Sequence, residues 1–307
     1  MDGGANLGAN RDNGSHGEPV LIDEQRGYLV VYKPPGIHSA PLTEDASGTV
    51  LGWCARRFPE IREPCGRRPR EGGLLHRLDY ETQGLLLLAR CQEALDNLMA
   101  QQEAGLFIKE YEAVGVPVGS KLAGSKPAGS KPAGSRPAGG LAARAGFPPV
   151  PPALTGLIES LRSGGGYPAA PAVIESAFRA YGPGRKAVRP WTPDRAGGAG
   201  RVYGRSHTRS VSLDQGKPYR TEITAAVREG NRLRFSLRLR RGFRHQIRCH
   251  LAWIGFPLLN DALYGGALSP TGAIGLAARG LSFRDPFTGD PRRYGVDFFS
   301  RFPDLFC

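Results

Sequence analysis

The sequence predicts an α+β fold, and three observations carry that expectation. One stretch alternates with strict period two, two stretches show helical spacing, and strand and helix patterns follow each other too unevenly for a repeating βαβ chain. The first strand is read at Gly27–Lys33, where the apolar, β-branched run GYLVVYK meets Pro34-Pro35-Gly36 and a turn. Gly84–Ala89, GLLLLA, is a continuous apolar run of strand length and suits a strand covered on both faces. Leu95, Leu98 and Met99 then fall at helical spacing, with Gly105 placed to stop the helix. Ile108–Val116, IKEYEAVGV, reads as a further strand. From Gly119 to Gly139 a five-residue repeat carries Lys121, Lys126, Lys131 and Arg136 without an acid. It has nothing to bury and reads as a flexible basic insertion or a tolerated surface loop. Pro and Gly stay dense through Pro168, and a second basic, glycine-rich loop is read at Tyr181–Arg209. Regular structure is expected again around Pro218–Val227. Within Asn231–Arg241, Leu233, Phe235, Leu237 and Leu239 share one side and Arg232, Arg234, Arg238 and Arg240 the other, a core face and a cationic face. His245–Ile254 places Ile247, Leu251 and Ile254 at helical spacing, with Gly255 as its cap and Arg248 one turn on from His245.

The bulk numbers narrow the function. Over 307 residues, 41 Lys+Arg against 28 Asp+Glu leave a net charge of +13. That surplus points to a polyanionic partner, because neutralising phosphates releases condensed counterions. No apolar stretch approaches the length of a membrane span. Met1–Pro19 lacks the apolar core of a secretory signal and reads as a disordered lead. Five cysteines with no CxxC pair argue against a disulfide framework or structural zinc, and point to reduced thiols in the cytoplasm.

Asp79 stands out by its setting. In LLHRLDYETQG it lies between two apolar runs, so a loop carboxylate is held by strands yet open to a ligand. A nearby cation would keep it ionised. Local reasoning alone leaves the capping of a turn as the commoner role for such a residue.

Four segments then change its weight. GGLLHRLDYETQGLLLLAR resembles the HRLDxxTSG signature of the RluA-type family of RNA pseudouridine synthases. YLVVYKPPGIHSAP resembles the family's KPxG segment, KEYEAVG its K-x-Y-x-A strand, and RGFRHQIRCHLAWIGFPLLNDALYGG its GRTHQIRxHLxxxGxPixGDxxYG block. All four occur in the family's order between Gly27 and Gly266. The resemblance implies a mixed, mostly antiparallel sheet with a central cleft flanked by helices and loops. It implies one catalytic domain over 20–307 after a lead over 1–19, a basic insertion near 117–168 and no separate S4-type domain.

It also implies the site. Asp79 corresponds to the catalytic aspartate and Arg77 to the arginine that fills the stack when the target nucleotide flips out. Tyr111 corresponds to the tyrosine that packs on the flipped uracil, and Arg248 to the arginine that pairs with the catalytic carboxylate. Extruding a base costs a few kcal/mol, which stacked guanidinium and aromatic planes offset. His76, Arg244 and His245 are also expected to meet substrate, with a hydrogen-bonding scaffold role favoured over metal binding for both histidines. Lys33, Glu81 and Thr82 are read as ordering loops. The reaction needs no cofactor and no metal. The implied partner is ribosomal or transfer RNA, with no membrane and no obligate protein partner. Whether Asp79 adds to C6, adds to C1′ or takes the 2′-proton stays open. Three departures bear on substrate preference: TQG for TSG, GFRH for GRTH with the arginine at Arg244, and Asn260-Asp261 for Gly-Asp. A non-catalytic RNA-binding or ribosome-assembly protein on the same scaffold is the rival reading, and a small-molecule hydrolase explains neither the charge nor the arginine-lined strand.

Overall fold

The computed structural model describes residues 17–42, 48–66, 68, 70–120, 147–163, 171–191, 217–269 and 272–297. Most of the N-terminal lead, the body of the five-residue repeat and much of the basic loop after Tyr181 lie outside the described residues. In chain order the strands are β1 (Val20–Glu24), β2 (Tyr28–Lys33), β3 (Gln83–Ala89), β4 (Ile108–Gly115), β5 (Ala172–Tyr181), β6 (Ala187–Trp191), β7 (Tyr219–Glu229), β8 (Arg232–Leu239), β9 (Leu276–Arg284) and β10 (Pro291–Gly295). The helices are α1 (Val50–Ala55), α2 (Gln92–Glu103), α3 (Thr155–Ser163) and α4 (Gln246–Trp253). This is an α+β fold, as expected. The chain divides into two compact units, one from residues 1–110 and 277–301, the other from 111–276 and 302–307.

In the first unit β1, β2, β3 and β9 follow one another, with β10 against β9. The pairings are antiparallel except β3 with β9, which run parallel through Gln83↔Ala277 and Gly84↔Ala278. Every residue of β2 and β3 is buried, which is why GLLLLA shows no alternation. Each fully buried leucine of that run contributes roughly 1.5–3 kcal/mol. Ala94, Leu95 and Leu98 of α2 pack on Val30, Leu85, Leu87, Phe107 and Phe283. The helix stops where expected, because Gly105 takes φ 70°, a left-handed turn that glycine adopts without steric cost. Gly84 is glycine for a second reason: a β-carbon there would collide with the Ala278 carbonyl oxygen across the parallel pairing.

In the second unit the strand order is β4, β8, β7, β5, β6. β8 realises the period-two reading residue by residue, with Leu233, Phe235, Leu237 and Leu239 all buried. Its arginine face is largely answered from β7: Arg234 meets Glu229 at 3.3 Å and Arg240 meets Glu222 at 3.7 Å. All eight residues of α4 are buried. His250 locks the helix to the sheet, with Nε2 2.9 Å from Ser176 Oγ and Nδ1 2.8 Å from Thr221 Oγ1.

Three elements correct the sequence reading. α3 falls where Pro and Gly are dense, β5 fills a stretch given no element, and β6 falls inside the stretch read as a basic loop. In AVIESAFRAY of β5 the alternation is blurred by polar Ser176 on the face of Ile174 and Phe178 and by buried Ala177 on the other, and β6 contains Pro190. A proline strand is tolerable at the end of the strand order, where one side needs no ladder bond. No helix among the described residues is long and apolar enough to cross a membrane.

Candidate active site

Asp79, half-buried, opens a turn closed by the Thr82 N–H donating to its carbonyl at 3.1 Å. The segment that followed β2 in the sequence reading now has a physical task. Lys33, with no exposed surface, donates its ammonium to the carbonyls of Thr82 at 2.6 Å, Pro34 at 3.0 Å and Tyr80 at 3.1 Å. Burial pushes its pKa down to about 8, against the attraction of Asp79 and Glu81, which works upward. Ser39 binds the other side of the turn: its hydroxyl accepts from the Leu78 N–H and donates to the Leu78 carbonyl, each at 3.0 Å. Upstream, Leu75 N–H donates to Leu87 and Ala89 N–H to Gly73, so residues 73–75 add an edge to β3. The carboxylate is thus carried on a loop anchored at both ends. Lys33 orders this loop, as the sequence suggested; Thr82 contributes its carbonyl, while its buried hydroxyl has no partner among the described residues.

Arg77 is exposed and its guanidinium meets Glu71 at 3.1 Å. A pair this open to water is worth at most about 1 kcal/mol, so Glu71 holds the arginine loosely. His76 differs from expectation. Both ring nitrogens are shut from solvent with no hydrogen-bond partner among the described residues, and the ring packs 5.7 Å from Phe107. Burial, reinforced by the charge of Lys109, holds its pKa well below the usual imidazole range, so the ring is neutral. The hydrogen-bonding scaffold role read for His76 is therefore not what the ring does.

The remaining residues lie in the second unit. Tyr111 is buried on β4. Arg248 is buried on α4 and makes a two-pronged pair with Asp261, Nε to Oδ2 at 2.8 Å and Nη2 to Oδ1 at 2.9 Å. Its guanidinium also lies over the Tyr264 ring at 5.6 Å. Asp261 was missed as a functional residue, although it stands in the quoted Gly-Asp block. It also accepts the N–H groups of Leu263 at 3.1 Å and Tyr264 at 3.3 Å. His245 precedes α4 in the left-handed region, φ 56°, with Nδ1 3.2 Å from the Tyr264 hydroxyl. Arg244 donates to the Arg185 carbonyl at 2.8 Å. Asn260 explains one departure from the family pattern: at φ 59° it occupies a position suited to glycine, and asparagine is among the few residues that tolerate it. Its side chain secures the turn through Ser269 and the Ala273 carbonyl.

With this geometry in place, known proteins can be set beside the chain. Residues 27–149 match the family model described as RNA pseudouridylate synthase, a stretch that holds Lys33, Arg77, Asp79 and Tyr111 and ends before Arg244. The chain is 26% identical over 250 residues to ribosomal large subunit pseudouridine synthase D of Pasteurella multocida, covering 81% of this chain and 54% of that protein. It is 25% identical over 301 residues to the protein of that name from Vibrio parahaemolyticus, covering 92% and 67%. An uncharacterized RNA pseudouridine synthase of Chloroflexus aurantiacus is 26% identical over 233 residues, covering 76% and 50%. The chain thus spans about half the length of most of these relatives. Among solved structures, human RNA pseudouridylate synthase domain containing 1 shares the fold at TM-score 0.53 and 18% identity, covering 96% of this chain and 89% of that one. Human RNA pseudouridylate synthase domain containing 4 does so at TM-score 0.52 and 14% identity, covering 94% and 91%.

Proposed function

We propose that the chain is a member of the RluA-type family of pseudouridine synthases and that it isomerises uridine in RNA to pseudouridine with Asp79 as the catalytic carboxylate. The observation that carries this is the placement of Asp79 on a half-exposed turn tied down by Lys33 and Ser39. A carboxylate asked to work on a base swung out of the RNA needs such fixed yet accessible support. In this reaction the bond from C1′ to N1 of uracil breaks, a bond from C1′ to C5 forms, the C5 hydrogen leaves to water as a proton, and N1 takes up a proton. Tyr111, Arg248 and Arg77 take the roles the resemblance assigns them, and His76, Arg244 and His245 line the approach of substrate. The domain expected over residues 20–307 is the catalytic one. The names of the relatives make large-subunit ribosomal RNA the first substrate to try, and the cysteine pattern of the sequence is what favours the cytoplasm as the compartment.

The test is tritium release. Large-subunit ribosomal RNA transcribed with uridine tritiated at C5 should lose tritium to water on incubation with the wild type. Asp79→Ala and Asp79→Asn should release none above background while still binding the RNA. Tight binding without release by the wild type, on ribosomal and transfer RNA alike, would overturn the reading.

A further inference from the structure

We propose that Tyr80, braced by His38, is an aromatic platform on which the RNA stacks the base next to the uridine presented to Asp79. The inference rests on the uridine-isomerase reading above and adds to it a specificity-determining pair of residues in the same loop. Tyr80 is 44% exposed, although it follows the catalytic carboxylate directly in a turn whose backbone is otherwise tightly held. Turn corners of this kind usually carry Gly, Pro, Asn, Asp or Ser. Nor is Tyr80 one of the buried residues that build the core among the described residues.

Its position is nevertheless fixed. The Tyr80 carbonyl accepts from the Gly36 N–H at 2.9 Å and from the Lys33 ammonium at 3.1 Å. Its ring is met by the His38 ring, with centroids 4.7 Å apart and planes at 45°. His38 is anchored in turn, because its carbonyl accepts the Val50 N–H at 2.9 Å and its backbone bridges to Thr49. An exposed aromatic ring with fixed support loses little freedom when a flat ligand stacks on it.

The neighbourhood selects the ligand. Consecutive Cα atoms lie about 3.8 Å apart, so the ring is carried by the residue next to the one that holds the carboxylate, in the same turn. A tyrosine ring offers no cation to a phosphate, so the flat, uncharged base is the part of RNA that fits it. Flipping a nucleotide strips its neighbours of a stacking partner, and a tyrosine face replaces it whatever the base.

The experiment separates kcat from KM in the tritium assay. Tyr80→Ala should raise KM about 5- to 100-fold with kcat within about twofold of the wild type, the range expected for one lost base–aromatic stack. Tyr80→Trp and Tyr80→Phe should restore KM. His38→Ala should raise KM less, and add little to Tyr80→Ala. A fall in kcat at unchanged KM would show that Tyr80 only steadies the Asp79 turn, and would overturn the platform. So would a KM that Tyr80→Trp does not restore. If the wild type releases no tritium, the isomerase reading fails instead. The platform is then judged by fluorescence anisotropy with a labelled ten-nucleotide oligouridine, where Tyr80→Ala should weaken Kd at least about fivefold. An unchanged Kd sinks it.

Discussion

Lys33 and Arg248 show how single residues carry charge inside this fold. Lys33 has a pKa near 8 in the folded protein against 10.5 as an ordinary lysine. Between those values the unfolded chain binds more protons than the folded one. The lysine's effect on stability therefore becomes more favourable as pH rises across that window, and is least favourable below about pH 8. Activity should move the other way, since a neutral amine no longer offers a cation to the Asp79 turn. We expect kcat to fall as pH rises past about 8, and Lys33→Met to lose that limb of the profile along with about ten- to a hundredfold of kcat from the displaced turn. Asp261 gives a second outcome at this scale. Its pair with Arg248 is almost wholly buried, so Asp261→Ala should cost about 3–5 kcal/mol in urea unfolding by removing one side of a buried ion pair. The double variant with Arg248→Met should recover part of that loss. At this scale the motifs of the sequence single out Asp79 and Arg248 as candidates. It hid Asp261 because nothing local marks an acid as the partner of an arginine thirteen residues earlier.

The legibility of each element follows from how it is buried. β8 was readable because one face meets the core and the other does not, and β3 because both faces do. The helix α4 was readable from Ile247, Leu251 and Gly255, yet its complete burial was not, since His250 and Gln246 look polar until Ser176, Thr221 and the Arg220 carbonyl answer them. β5, β6 and α3 were invisible because their residues alternate poorly and lie among Pro- and Gly-rich sequence that reads as loop. Gly84 ties element to function. Gly84→Ala should destabilise the protein by about 1–3 kcal/mol from its backbone conformation alone, φ 131°, with the clash against Ala278 adding to it. Because Gln83 and Gly84 follow the Asp79 turn directly, kcat should fall as well. Circular dichroism during urea titration and the tritium assay measure the two effects.

For the whole molecule, the net charge of +13 promised a polyanion as partner but did not say which arginines meet it. The arginine face of β8 was the obvious candidate from sequence. In the structure Glu229 and Glu222 engage Arg234 and Arg240, a cross-strand arrangement no single-strand pattern displays. Arg234→Ala and Arg240→Ala should accordingly change the salt dependence of RNA binding by well under about one counterion each. Anisotropy titrations from low to moderate salt give that slope directly.

One consequence concerns the order in which the protein is made. The strand that carries the Asp79 turn pairs on one side with β2 and on the other with β9, whose residues are translated almost two hundred positions later. On the ribosome, Asp79 emerges early, but its supporting sheet lacks a neighbour until synthesis has passed Arg284. A nascent chain stalled before Leu276 should therefore leave β3 open to protease, and arrested complexes of increasing length should show protection only once β9 has cleared the exit tunnel.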